Sequence, residues 1–130
     1  MNSNVQLIRD VFAAFVRGDV PFILSRIAPD CVWCGSMAPE LPYSGVMTGP
    51  GEIGRFFLGI GGALEVRSFN PARLVAQDDT VVAIGDWSGI ARATGKPYHA
   101  NFALTFTVRD GMIASYLGVE DTAVTAAALR

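Results

Sequence analysis

The chain holds one histidine, His99, in the alternating stretch Tyr98-His99-Ala100-Asn101-Phe102-Ala103-Leu104-Thr105-Phe106. Imidazole is the side chain whose ordinary pKa lies nearest neutrality, so it can take and return a proton as a general acid or base. Its plainer role is that of a solvated residue just past a turn. Further on, Tyr116, Gly118 and Glu120 share one parity of a second alternating stretch, and Asp121 follows at its end. A carboxyl group beside apolar walls is pushed to higher pKa, which makes it usable near neutral pH. Trp33, Tyr43, Phe56, Phe57, Phe69 and Trp87 can line an apolar ligand pocket or simply fill a core. The indole N–H of Trp33 or Trp87 and the amide of Asn101 are candidates to orient a polar ligand atom.

Other chemistries find less support. The only cysteines, Cys31 and Cys34, form Cys-Val-Trp-Cys, a spacing used in thiol redox work and in half of many zinc sites. There is no second pair, and the local pattern is that of a strand, on which residues three apart point to opposite faces. Buried structural thiols are the better reading, and no metal site is expected. Gly59, Gly61 and Gly62 lack the Gly-Lys-Ser/Thr ending of a phosphate loop and read as a helix stop. No serine sits in a Gly-x-Ser-x-Gly elbow. Nothing in the sequence calls for a cofactor.

Composition narrows the classes further. The 130 residues suit one domain, 1–130. Hydrophobic residues are 51% and charged residues 17%, against roughly 45–50% and about 25% in ordinary domains. The surplus implies a cavity or a subunit contact. Ten basic and twelve acidic residues give a net charge of −2, with no basic excess to bind nucleic acid or an anionic membrane. The longest stretch free of Asp, Glu, Lys and Arg, Pro97 to Val108, is too short to span a bilayer. Arg9 and Asp10 interrupt the N-terminus before any signal-like run, so a cytoplasmic location is expected.

Periodicity supplies the elements that must position these groups. Val5 to Arg17 carries apolar residues at three- and four-residue spacing and predicts a helix ended by Gly18-Asp19. Val20-Pro21 opens a shorter helix, with Ile27 and Ala28 on its buried face, stopped at Pro29-Asp30. Cys31 to Gly35 is a short strand, and a loop rich in Pro and Gly runs to Thr48. Gly49-Pro50-Gly51-Glu52 opens a third helix that ends at Gly59 to Gly62. Alternation then takes over: Leu64 to Gln77, Thr80 to Ala93, Tyr98 to Val108 and Met112 to Glu120 read as successive antiparallel hairpins. Asn70-Pro71 inside the first of these implies an edge or a bulge. Ala123 to Leu129 is a small-residue tail, helical or frayed. Three helices, one early strand and a four-stranded meander describe an α+β layer, with helices across a strongly curved sheet to make a cone whose mouth is the natural pocket.

Several pieces resemble the nuclear transport factor 2-like, or ketosteroid isomerase-like, superfamily, and within it the SnoaL-like polyketide cyclase group. They are Phe12-Ala13-Ala14-Phe15-Val16-Arg17-Gly18-Asp19, Ala28-Pro29-Asp30-Cys31-Val32-Trp33, Tyr43-Ser44-Gly45 leading to Gly49-Pro50-Gly51-Glu52-Ile53, and Phe106-Thr107-Val108-Arg109-Asp110-Gly111-Met112-Ile113, ending at Glu120-Asp121-Thr122. The resemblance implies a cystatin-like cone of three N-terminal helices on a curved antiparallel sheet with a mixed edge. It does not choose a function, because such folds host many. The base, tyrosine and second acid of a ketosteroid isomerase fall near Cys34, Val11 and Ala103, so all three roles are vacant. Of the Asp-Arg-Asp set of the epoxide hydrolases, Arg67, Arg92 and Asp121 supply parts but no in-register pair of aspartates.

Aligned to the family, His99, Asn101, Ala103 and Thr105 face the cavity, while Tyr98, Phe102, Leu104 and Phe106 lie on the outer sheet surface and pair with a second copy. The SnoaL-like group also implies an acid or base near Asp121. The expected protein binds a small, largely apolar carbonyl or polycyclic compound and moves a proton on it, in isomerisation, cyclisation or dehydration. His99 and Asp121 are its catalytic groups; Trp33, Tyr43, Phe56, Phe57, Phe69, Trp87, Asn101, Tyr116 and Glu120 contact the ligand. The alternative is a module of the same fold that binds without catalysis.

Overall fold

The computed structural model describes residues 2–130. Helix α1, Ser3–Val16, is capped by Asn2, whose Oδ1 accepts from the backbone N–H of Asn4 at 2.8 Å. Its buried stripe is Leu7, Ile8, Val11, Phe12 and Ala14. Gly18 turns the chain at φ +76°. Asp19 then caps α2, Val20–Ser25, by accepting from Phe22 N–H at 3.1 Å.

Helix α2 is shorter than its periodicity predicts, because Ile27 and Ala28 belong to strand β1, Ile27–Cys34. A parallel neighbour captures them: Ile27 pairs with Ile113, and Ile113 N–H donates to Arg26 O at 2.8 Å. Strand β2, Val46–Thr48, lies inside the stretch expected to be loop and pairs with β1. Helix α3, Gly49–Ala63, runs through the glycines expected to stop it. Gly59 serves close packing instead, since a Cβ there would come within 2.8 Å of Pro42 O. The end of α3 is held by Arg92, whose backbone N–H donates to Ala63 O at 2.9 Å and whose Nε donates to Gly61 O at 2.8 Å.

The meander is β3 Leu64–Gln77, β4 Thr80–Ala91, β5 Pro97–Arg109 and β6 Met112–Glu120. The sheet order is β2-β1-β6-β5-β4-β3, antiparallel throughout except for β1 with β6. The result is an open, mixed-edge α+β fold with α1 to α3 against the sheet. A fourth helix, α4, Thr122–Leu129, resolves the tail as helical; Thr94 Oγ1 donates to Ala128 O at 2.6 Å and ties it to the β4–β5 turn. No helix among the described residues is long and apolar enough to cross a membrane.

Edge strand β3 carries two bulges, one between Val66 and Ser68 and one between Asn70 and Arg73, the second at the predicted Asn70-Pro71. Val66 pairs with Gly89, Ser68 with Ser88, and Phe69 with Trp87, so Arg67 is the extra residue of the first bulge. Before it the even-numbered side chains Leu64 and Val66 face the core; after it Phe69 does. The second bulge restores the original parity, and Leu74 again faces in opposite buried Ala83. Strand β4 answers with Gly89 and Gly85, where a Cβ would overlap the carbonyl oxygens of Glu65 and Asn70. Only glycine lets the bulged backbone come that close.

Candidate functional site

Between α1, α3 and the inner face of the sheet lies a cavity of about 70 Å³ with a single carboxylate, Glu120, among its lining residues. Glu120 ends β6, on the inward parity shared with Tyr116 and Gly118. Tyr43 Oη donates to Glu120 Oε1 at 2.7 Å. Tyr43 comes from the loop after β1, which is fastened rather than free. Gly35 N–H donates to Gly45 O at 3.1 Å, Gly45 N–H donates to Ser36 O at 2.9 Å, and Leu41 is buried. A Cβ on Gly35 would strike Tyr43 O and the Phe56 ring, so glycine there seats the loop against α3.

Burial pushes the Glu120 carboxyl above the ordinary carboxylate range; the Tyr43 hydrogen bond opposes this, and the neighbouring charge of Asp121 adds to the rise. The phenols of Tyr43, Tyr98 and Tyr116 are all pushed up, first by burial and then by the Glu120 charge, so each keeps its proton. Three buried donors near this acid have no hydrogen-bond partner: Trp33 Nε1, Trp87 Nε1 and Tyr98 Oη. The Tyr116 ring stacks on Trp33 with centroids 4.1 Å apart, and its hydroxyl lies where a side chain on Gly118 would be. Trp33, Tyr43, Phe56, Phe57, Phe69, Trp87, Tyr116 and Glu120 all line the cavity.

The expected faces of β5 are reversed. Phe102 pairs with Glu120, Leu104 with Gly118, and Phe106 with Tyr116. Residues directly opposite on a ladder project from the same face, so the Phe102-Leu104-Phe106 set must face the cavity together with Glu120. His99, Asn101, Ala103 and Thr105 therefore face outward, and the outer surface is aliphatic rather than aromatic. The side chain of His99 is 67% exposed, with Nε2 2.6 Å from Asp86 Oδ2. Asp86 also accepts from Asn70 Nδ2 at 3.0 Å, and these bonds hold its carboxyl below the ordinary range. Asp121 is exposed and precedes α4 without a side-chain capping bond. His99, Asn101 and Asp121 are thus outside the cavity wall, and the expected acid–base pair is not assembled there.

A regular ladder running from the turn at Asp110-Gly111 would place Phe102 opposite Val119; the irregularity between Thr107 and Val108 shifts the register by one residue and brings Phe102 opposite Glu120. Phe12 and Phe15 on α1 also line the cavity. Their signal in the sequence is the three- and four-residue apolar spacing of α1, which marks a core face and a cavity wall alike.

Cys31 and Cys34 occupy opposite sides of β1, Cys31 buried and Cys34 partly exposed. Burial, with a smaller effect from Asp30, pushes the Cys31 thiol up to about 11, which leaves it protonated and unreactive. Among the described residues no three of His, Cys, Asp and Glu are grouped to hold a metal ion.

A model of the SnoaL-like domain matches residues 8–116. Among solved structures, an NTF2-like protein from Burkholderia thailandensis E264 is 28% identical and superposes with a TM-score of 0.89, over 100% of this chain and 99% of that one. An NTF2-like protein from Burkholderia xenovorans LB400 is 27% identical with a TM-score of 0.85, over 98% and 96%. TerC, co-crystallised with polyporic acid, shares the fold at 22% identity and a TM-score of 0.81, over 98% of each chain. None of the curated proteins matches this chain.

Proposed function

The chain belongs to the SnoaL-like domain family, and on that premise we propose that it binds a small apolar carbonyl compound in its cavity and moves a proton on it, with Glu120 as the acid–base group. The observation that carries this reading is one carboxyl, held above the ordinary range by burial and fixed by Tyr43 at 2.7 Å, in a pocket walled, Ser36 and Gly118 apart, by aromatic and aliphatic side chains. A carboxylate of raised basicity in a dry site is suited to abstract a proton from the carbon next to a carbonyl. The electron pair then moves to the carbonyl oxygen, and the unpartnered indole donors of Trp33 or Trp87, both in the cavity lining, are available to hydrogen-bond the resulting enolate. Where the ligand carries a C=C conjugated with the enolate, return of the proton from Glu120 to the far end of that system completes an isomerisation; attack of the enolate on a second carbonyl of the same ligand forms a C–C bond and an alkoxide, which takes the proton back from Glu120 to complete a cyclisation. The cavity volume, about 70 Å³, is below the ~150 Å³ of an engineered cavity that takes benzene. It favours a compact ligand over a polycyclic one.

The test uses acetone and butanone, small enough for a cavity of about 70 Å³, in heavy water, with NMR following both binding and loss of the protons next to the carbonyl. Binding with exchange, reduced at least about 10²-fold in Glu120→Gln, supports proton transfer. Binding without exchange leaves a ligand-binding module, and the absence of both removes the reading.

A second copy belongs to the same proposal. Val32, Ile84, Leu117 and Val119 are exposed on the outer sheet face, and Ile84, Ala103 and Val119 stand side by side on neighbouring strands. An aliphatic surface across four strands suits a homodimer interface.

A further inference from the structure

Outside the aromatic wall of the cavity is a second, larger depression of about 350 Å³, between the C-terminal ends of α1 and α3 and the start of β3. The two spaces share the rings of Phe15, Phe57 and Phe69 as a common wall. All three rings are only half-buried, and they touch one another edge-on, Phe15 lying 5.1 Å from Phe69 and 6.3 Å from Phe57. On the outer side the same rings are accompanied by two guanidinium groups, Arg67 and Arg92.

Both arginines are placed by backbone features. Arg67 is the extra residue of the first β3 bulge, where the ladder is interrupted and a side chain can leave the strict alternation. Arg92 is pinned through Nε to Gly61 O at 2.8 Å, and among the described residues its two terminal nitrogens have no hydrogen-bond partner. Among the described residues Glu65 is the one carboxylate paired with either, at 3.4 Å from Arg67. Two guanidiniums against one carboxylate leave a single net positive charge, over a floor of phenyl rings. Planar guanidinium forks match a carboxylate in geometry, and one net charge matches a monoanion better than a phosphate dianion.

We infer that Arg67 and Arg92 seat the carboxylate of an amphipathic acid whose apolar chain lies against Phe15, Phe57 and Phe69 and reaches the cavity through that wall. The inference rests on the proposed cavity reading and narrows it: the ligand is an apolar oxo acid, held by its carboxylate at a distance from Glu120 with its ketone in the cavity. Placing the anion outside the wall also keeps two carboxylates from sharing one dry site, where one of them would have to be protonated.

The test compares octanoate with octanamide, which has the same chain and no charge, by titration calorimetry at low and high salt. Octanoate is expected to bind at least about tenfold more tightly at low salt, with the gap narrowing as salt rises. Arg67→Gln should remove most of the gap and leave octanamide affinity unchanged, and Arg67→Lys should restore part of it. Arg92→Lys, which keeps charge near the α3 terminus, should weaken octanoate alone. Because Arg67 makes no bond to the backbone, its variants test the site without loosening α3. Equal affinities for the two probes, no binding of octanoate, or a gap that survives Arg67→Gln combined with Arg92→Gln overturns the inference. Acetone exchange that persists while the gap is absent faults this inference alone. A gap that persists while acetone exchange and binding are absent faults the cavity reading alone.

Discussion

Tyr43 and Glu120, separated by 77 positions, are joined by a hydrogen bond of 2.7 Å that closes the fastened loop after β1 onto the last strand. The bond links two segments that no strand ladder connects. It also fixes the one carboxyl group that the cavity contains, and it partly offsets the effect of burial on that group's protonation.

Stability should report this directly. The folded-state pKa of Glu120 lies above its unfolded value, so the native state holds a proton that the unfolded chain releases. The contribution is therefore fully present below the ordinary carboxylate pKa and is lost as pH rises through the folded value, at about 1.4 kcal/mol per pKa unit. Urea unfolding across a pH series should show wild type losing stability relative to Glu120→Gln over that window. In Tyr43→Phe the loss should extend to higher pH. Parallel curves for wild type and Glu120→Gln would mean that the carboxyl titrates normally.

The outward placement of His99 leads to a different expectation from the one its pKa class invites. His99→Ala should leave proton exchange on acetone within about twofold of wild type, since proton transfer requires a group within hydrogen-bond reach of the reacting atom. NMR titration of the same variant should show the Asp86 carboxyl rising toward its ordinary range as its bond to His99 is lost.

Glycines that look alike in sequence should behave oppositely. Gly85→Ala places a methyl group on the Asn70 carbonyl and should destabilise by about 1–3 kcal/mol, seen as a lower Tm. Gly62→Ala meets nothing within 4 Å inside α3 and should stabilise by about 0.5–1 kcal/mol through helix propensity.

Leu117→Lys together with Val119→Glu puts charge on the outer face without touching the cavity lining. Light scattering should report a dimer for wild type and a monomer for the double variant, with thermal unfolding of both remaining cooperative. A wild-type monomer would remove the homodimer from the proposal.

Much of the fold was legible because its signals are local. The stripe Leu7, Ile8, Val11, Phe12 made α1 readable, and the turns at Asp78 and Asp110, both at positive φ, punctuated the meander. Strand β2 and the early start of β1 were not, since three residues inside a Pro/Gly loop and two beside a helix become strand only through a neighbour distant in sequence. The aromatic lining was legible as composition. Glu120 was legible as a ligand contact on the inward parity of β6; the inward face of β5 was not, because period-two alternation defines two faces but not which one is wet, and that needs the pairing of Phe102 with Glu120. The isolation of Asp121 and His99 from the cavity follows from the same one-residue choice.

The paired bulges of β3 behave like two compensating frameshifts. Were Arg67 drawn into the ladder instead of bulging out of it, every following side chain would be out of phase, sending Phe69 to water and Ser68 into the wall. Losing the second bulge as well would bring the strand from Leu74 onward back into phase, with only the stretch between them inverted. The aromatic wall therefore depends on two irregularities of one edge strand, and the other strands of the sheet keep their faces whether or not those are present.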